Sequence, residues 1–290
     1  MGTSNSYGGP GSATPLVPTW LDPGAPPTPG SPPVSPGGAG GGDGSPPPAP
    51  PISHPPISPP PIPNRFSTAR SNFSRFAGSG GSDRASLGRA VSAYVSKASG
   101  GARQAAIRMG SSRRSGERLL GFLSNAVARG TREALRALNL EHLAGRPIEE
   151  VFLGMVDYVC PDGGTVDEGI ARDAFIETIA DLAQNGVTNL DVLSVDQMQT
   201  VFELYAAHAI ETRLCNDIGT NAILFPKDVR AASKVQAQLR DFIRRGVSDA
   251  LTAARSELQG LTQSRVLGFV NKVYEQAFTI LRSLGETWAR

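Results

Sequence analysis

His208 and Cys215 lie seven residues apart, about two turns of an α-helix, so one helical face can carry both. Zinc needs two further ligands, and no C-x-x-C or H-x-x-x-H supplies them. A histidine and a cysteine buried in a helical core is the preferred reading. Cys160, ahead of Pro161-Asp-Gly-Gly164, has the setting of a loop nucleophile but no local motif that provides a base. A free structural thiol fits better. Asp162, Asp167 and Asp173 lack the alternating oxygen ligands and terminal glutamate of a calcium loop, and instead suit a helix N-terminus. Gly78-Ser-Gly-Gly-Ser82 and Met109-Gly-Ser-Ser-Arg-Arg114 have the composition of phosphate cradles. Neither matches G-x-x-x-x-G-K-[ST], and no strand precedes them, so a basic, solvated or partner-bound stretch is preferred. No catalytic residue, metal site or cofactor is expected.

The remaining chemistry is at the amines. The chain has four lysines, Lys97, Lys227, Lys234 and Lys272, so the first 96 residues hold none. Gly2 is small enough for Met1 to be removed, which exposes a glycine amine. An α-amine titrates near ~7.8 against ~10.4 for lysine, so at neutral pH far more of it is unprotonated. Met1-Gly-Thr-Ser-Asn-Ser6 also fits the myristoylation pattern. One acyl chain anchors only marginally, and no polybasic signal follows in the next 58 residues, so no membrane attachment is expected.

The elements that must position these groups divide the chain unequally. Of 24 prolines and 33 glycines, twenty-one and twelve fall before Asn64, and Asp22 and Asp43 are the charged residues there. Such a segment buries too little apolar surface to offset the entropy of ordering it, so residues 1–64 read as a long disordered Pro/Gly-rich tail. If flexible it reaches about 45 Å, and further where proline stiffens it. Residues 65–101 read as a basic connector containing Gly, Ser and Phe, and 102–290 as a helical domain. No apolar run approaches the roughly 18 residues of a membrane span. A secretory or transit signal is also missing, and two cysteines make no disulfide framework. The expectation is a reduced cytoplasmic protein.

Net charge of +2 conceals segregation. Residues 65–136 carry fourteen basic against three acidic residues, 137–225 three against fifteen, and 226–290 eleven against six. Opposite blocks imply internal docking or two differently charged partners. The basic block, with Arg65, Arg70, Arg75, Arg84, Arg108, Arg113 and Arg114 among Phe66, Phe73 and Phe76, has the makings of a single-strand nucleic-acid surface. Neutralisation by the acidic helices is preferred over that reading.

Apolar spacing predicts an all-α fold. Leu87, Val91, Tyr94 and Val95 share one face of a helix over 84–96, and a longer helix follows over 102–127. Thr131 is the expected cap of a helix to Leu138, and Pro147 suits the first turn of one reaching Tyr158. Thr165 with Glu168, and Ser194 with Gln197, are capping-box pairs for helices through Ala183 and to about Asn216. Two more are expected over 227–258 and 262–284. Val201, Leu204, Tyr205, His208 and Ala209 form one apolar stripe, and Phe269, Val273, Phe278 and Leu281 another.

Several stretches carry a resemblance. They are Met1-Gly-Thr-Ser-Asn-Ser-Tyr-Gly-Gly-Pro-Gly-Ser-Ala-Thr-Pro-Leu-Val-Pro-Thr-Trp20, Arg65-Phe-Ser-Thr-Ala-Arg-Ser-Asn-Phe-Ser-Arg-Phe76, Gly80-Gly-Ser-Asp-Arg84, Met109-Gly-Ser-Ser-Arg-Arg-Ser115 and Leu119-Leu-Gly-Phe122. They resemble the QatB family of the bacterial Qat anti-phage system; the specific stretches lie in the first 122 residues, and the rest agrees in helical character. The resemblance implies a four-component defence operon. Its other members resemble a P-loop ATPase (QatA-like), a 7-cyano-7-deazaguanine synthase-like enzyme (QatC-like) and a TatD-like DNase. The synthase family activates a deazaguanine carboxylate with ATP for attack by an amine, and a protein α-amine can replace ammonia there. That makes Gly2 the expected modification site and the chain a substrate and scaffold rather than an enzyme. Thr3 and Ser4 suit a narrow channel, while Tyr7, Pro10, Pro15, Leu16, Val17, Pro18 and Trp20 supply apolar contacts outside it. A nucleic-acid-binding adaptor that recruits a nuclease through the basic block is the alternative.

Overall fold

Local side-chain chemistry fixes where four of the helices begin. In the computed structural model, residues 64–182, 189–191, 193–219 and 228–290 are described. The tail expected over 1–64 therefore lies, up to residue 63, outside them. Among the described residues every regular element is helical and no strand occurs, as the apolar spacing predicts.

Helix α1 (Ser67–Gly78) falls where spacing alone predicts none. It buries Ala69, Asn72, Phe73, Phe76 and Ala77, a stripe at i, i+3, i+4, i+7 and i+8. Asn72 is tolerated inside because its Nδ2 donates to the Thr68 carbonyl at 2.8 Å and its Oδ1 accepts from Arg89 Nε at 3.3 Å. Helix α2 (Arg84–Ala93) is capped by Asp83, whose carboxylate accepts from the Ser86 amide at 2.9 Å, and continues into a π turn, Tyr94–Ala98.

The single helix expected over 102–127 is two, α3 (Ala102–Arg108) and α4 (Gly110–Arg129), separated at Met109. Thr131 does not cap α5 (Thr131–Arg136). Gly130 takes that position, and the Thr131 hydroxyl donates instead to the Leu190 carbonyl at 2.6 Å. Both groups are buried, and a buried carbonyl without a donor costs more than a missing cap. Pro147 precedes α6 (Ile148–Gly154) as its cap rather than entering its first turn. The helix breaks at Met155 before α7 (Val156–Val159).

Both predicted capping boxes form. Glu168 accepts from the Thr165 amide at 3.0 Å and donates its own amide to Thr165 Oγ1 at 3.2 Å, opening α8 (Val166–Leu182). Ser194 and Gln197 do the same at 3.0 and 3.1 Å for α9 (Val195–Ile218). Asp228 caps α10 (Val229–Ala253), which breaks at Ala254 before α11 (Arg255–Gln259). A 3-10 turn, Gln263–Arg265, leads into α12 (Val266–Trp288).

Two helices organise the packing. On α9, Val201, Phe202 and Leu204–Ile210 are all buried, so the helix is covered on several sides, by α4, α8 and α10. Helix α12 presents Phe269, Val273, Phe278 and Leu281 to the core and packs on α2, α3, α4 and α10. Phe73 and Phe76 of α1 and Leu87 and Val91 of α2 join the same apolar cluster. Chain segments 65–101 and 266–288 therefore share one interior. Among the described residues no helix is long and apolar enough to cross a membrane.

Candidate functional site: the base of the tail and the arginine surface

Gly2, Thr3, Ser4, Tyr7, Pro15, Leu16, Val17, Pro18 and Trp20 lie outside the described residues. The described residues begin at Asn64, just before α1. Arg65 and Arg70 hold their guanidinium carbons 4.7 and 5.7 Å from the centroid of the Phe66 ring, and that ring stacks on Tyr94 at 6.3 Å. Arg70 Nε also donates to the Ile218 carbonyl at 2.7 Å, satisfying an orphan acceptor at the C-terminal end of α9. One layer deeper, the Tyr94 hydroxyl donates to Asp217 at 2.8 Å, and Arg213 closes on Asp217 at 3.1 Å and on Asp167. Burial, with the Asp217 carboxylate beside it, pushes the Tyr94 phenol far above its ordinary range, so it remains a hydrogen-bond donor. The start of α1 is thus pinned to the end of α9 by hydrogen bonds and ring contacts.

The other arginines singled out by sequence are dispersed. Arg75 is exposed in the last turn of α1, and Arg84 lies 5.7 Å from the Trp288 ring at the end of α12. Arg108 is half-buried at the end of α3. Arg113 turns inward: its Nη1 donates to Asn271 Oδ1 at 2.7 Å, and burial lowers its pKa. Its neighbour Arg114 is exposed. Arg118, which composition gave no reason to single out, stands one turn further along α4 and donates to the Val159 carbonyl at 3.3 Å. Its spacing of four from Arg114 is the signal that marks the pair.

Among the described residues, charge pairing joins the basic block to the acidic one at Glu141, which takes Arg132 and Arg136. Helix α9 gives its carboxylates to the C-terminal block: Glu211 to Arg240 at 3.0 Å, Glu203 to Arg244 at 2.9 Å, and Asp196 to Arg255. Within residues 65–136, Arg132 and Arg136 pair with Glu133 and Glu141. The other twelve basic residues have no ion-pair carboxylate among the described residues. They use backbone carbonyls, Asn72, Asn271 and aromatic rings, or face solvent.

The candidate nucleophiles and ligands are separated from one another. Cys160 is buried, its thiol donates to the Ala171 carbonyl at 3.4 Å, and burial pushes its pKa up to about 11. His208, 3% exposed, bonds through Nε2 to Asp181 at 3.0 Å, and desolvation outweighs that carboxylate to lower its pKa. Cys215 is free and raised to about 12 by burial. Among the described residues no group of three or more His, Cys, Asp or Glu side chains is arranged to hold a metal.

The family model described as Qat anti-phage system associated protein QatB matches residues 100–281, most of the helical region from α3 into α12. The chain belongs to the QatB family. QatB membership makes it a component of anti-phage defence. The matched span contains the α4 arginines, Cys160 and His208, whereas α1, α2 and the tail precede it. The resemblance at residues 65–84 and the QatB match therefore rest on different parts of the chain. No curated protein and no solved structure matches this chain.

Proposed function

We propose that the chain is a non-catalytic interaction and scaffold protein of the Qat system. Its N-terminal tail is bound by a 7-cyano-7-deazaguanine synthase-like partner, and Gly2 is the site of any covalent modification. The observation that carries this reading is the distribution of amines: no lysine precedes Lys97, so an α-amine at Gly2 has no competitor along the approach to it. In the modification step the amine nitrogen attacks the partner's activated carboxylate, forms an amide, loses a proton and expels the activating group. A non-catalytic role is supported by Cys160 and His208, which are buried and held by structural bonds, and by Cys215, whose thiol is pushed up to about 12 by burial. QatA-like ATPase and TatD-like DNase partners complete the assembly, which acts in the cytoplasm. The test is the intact mass of the protein produced with and without its operon partners. A mass increase that maps to Gly2 and requires the synthase-like partner is expected; an unchanged mass with all partners present excludes modification.

One observation favours a second reading, a nucleic-acid-binding adaptor: twelve basic residues of the 65–136 block lack carboxylate partners among the described residues. A phosphate-tracking surface predicts DNA affinity that falls steeply with salt. Binding near physiological salt that weakens in an Arg114→Gln variant favours the adaptor; weak or absent binding favours the tail reading.

A further inference from the structure

Arg114 and Arg118 stand one turn apart on α4, interleaved with Ser111 and Ser115, and these four side chains share one face of the helix. They line a small cavity closed on its far side by Cys160, Pro161 and Glu168. Two like charges at this spacing repel each other. Hydrogen bonds from Thr165, with a smaller contribution from Arg114, hold the Glu168 carboxyl below its ordinary range, but neither arginine forms an ion pair with it. Cys160 is a neutral thiol, since burial pushes it up to about 11. Glu168 already accepts from the Thr165 amide and hydroxyl at 3.0 and 2.6 Å, which fixes one of its oxygens in the α8 cap.

What remains is an array of donors. A guanidinium carries five N–H groups. Arg118 directs one of its donors to the Val159 carbonyl, and Arg114 makes no hydrogen bond or ion pair within the described residues. Ser111 adds a hydroxyl to the lining; the Ser115 hydroxyl, buried beside it, is already engaged by Cys160 and Tyr205. The cavity measures about 90 Å³. That is about three times the ~30 Å³ share of one water in the liquid. It is too small for a nucleotide or other drug-sized ligand, whose sites run to about 300–1,000 Å³. Its size therefore admits one tetrahedral oxyanion, and its donors are those that phosphate takes best.

We infer that this cavity is a phosphate site, holding the terminal phosphate of a phosphomonoester between Arg114 and Arg118 with the rest of the ligand projecting outward. The inference stands apart from the tail reading and uses no residue of it. The test is calorimetric titration of the full chain with inorganic phosphate and with AMP, repeated for Arg114→Gln, Arg118→Gln and, as a charge-matched control, Arg230→Gln, an exposed residue in the first turn of α10. Saturable one-to-one binding is expected, weakened about tenfold or more by either α4 substitution, the loss for one charge-assisted hydrogen bond, and unaffected at Arg230. Arg114 makes no hydrogen bond or ion pair within the described residues, and circular dichroism checks that its variant stays folded. Equal binding of phosphate and AMP identifies a site that reads the phosphate alone; tighter AMP binding identifies a nucleotide. No saturable binding of either probe at millimolar concentration, or binding that Arg230→Gln weakens as much as Arg114→Gln, overturns the assignment.

Discussion

Gly88 of α2 and Gly285 of α12 meet backbone to backbone. A Cβ on Gly88 would lie 2.6 Å from the Gly285 carbonyl oxygen, and one on Gly285 would lie 2.5 Å from that of Gly88. Neither obstacle is a side chain that can rotate away, so the two helices approach only because both residues are glycine. This crossing ties the helices nearest the tail to the last helix of the chain. Gly88→Ala is expected to destabilise the fold by about 1–3 kcal/mol, the range for overpacking a tight interior, although alanine is the better helix former. Urea denaturation of the variant checks this, and a stabilised variant contradicts the close crossing.

Acidification acts on His208. Desolvation, reinforced by Arg240, lowers its pKa below the ordinary 6.5 despite Asp181 and Glu211. The unfolded chain therefore takes up a proton at a higher pH than the native one, and stability rises with pH between the two values. The contribution is complete above about pH 6.5, the unfolded value, and is lost as the pH falls toward the lowered native value. Unfolding free energies measured between pH 7.5 and 5 are expected to decline, and His208→Gln to flatten that decline. An equally steep profile in the variant removes His208 as the cause.

Cys160 gives a chemical test of the absence of a nucleophile. A thiol raised to about 11 is almost wholly protonated at pH 7.5, and burial blocks access to it. A disulfide reagent is expected to label Cys160 only after denaturation. Rapid native labelling at that position, traced by peptide mass, points instead to a reactive thiol.

The helices were legible wherever a cap or an apolar stripe announces them. Thr165–Glu168 and Ser194–Gln197 mark their helix starts because the reciprocal hydrogen bonds depend on four consecutive residues. Helix α1 was not legible, since its buried face contains Ala69, Ala77 and Asn72 between phenylalanines, and the Asn72 Oδ1 is satisfied by Arg89, seventeen residues away. Thr131 misled for the same reason: its partner, the Leu190 carbonyl, is 59 residues distant. Charge blocks were visible, but not their pairing, because which helix lies against α9 is a property of packing. Arg113 and Arg114 look equivalent in the sequence and differ in the fold because adjacent residues on a helix point about 100° apart.

The central claim is that the first residues of the chain are what the synthase-like partner recognises. Its most direct measurement is the affinity of that purified partner for the full chain and for a chain lacking residues 2–12, with circular dichroism confirming that the helical domain is intact in both. The account predicts saturable binding of the full chain and at least about a hundredfold loss on truncation, about 2.7 kcal/mol, the equivalent of one hot-spot contact. Equal affinity of the two chains would contradict it.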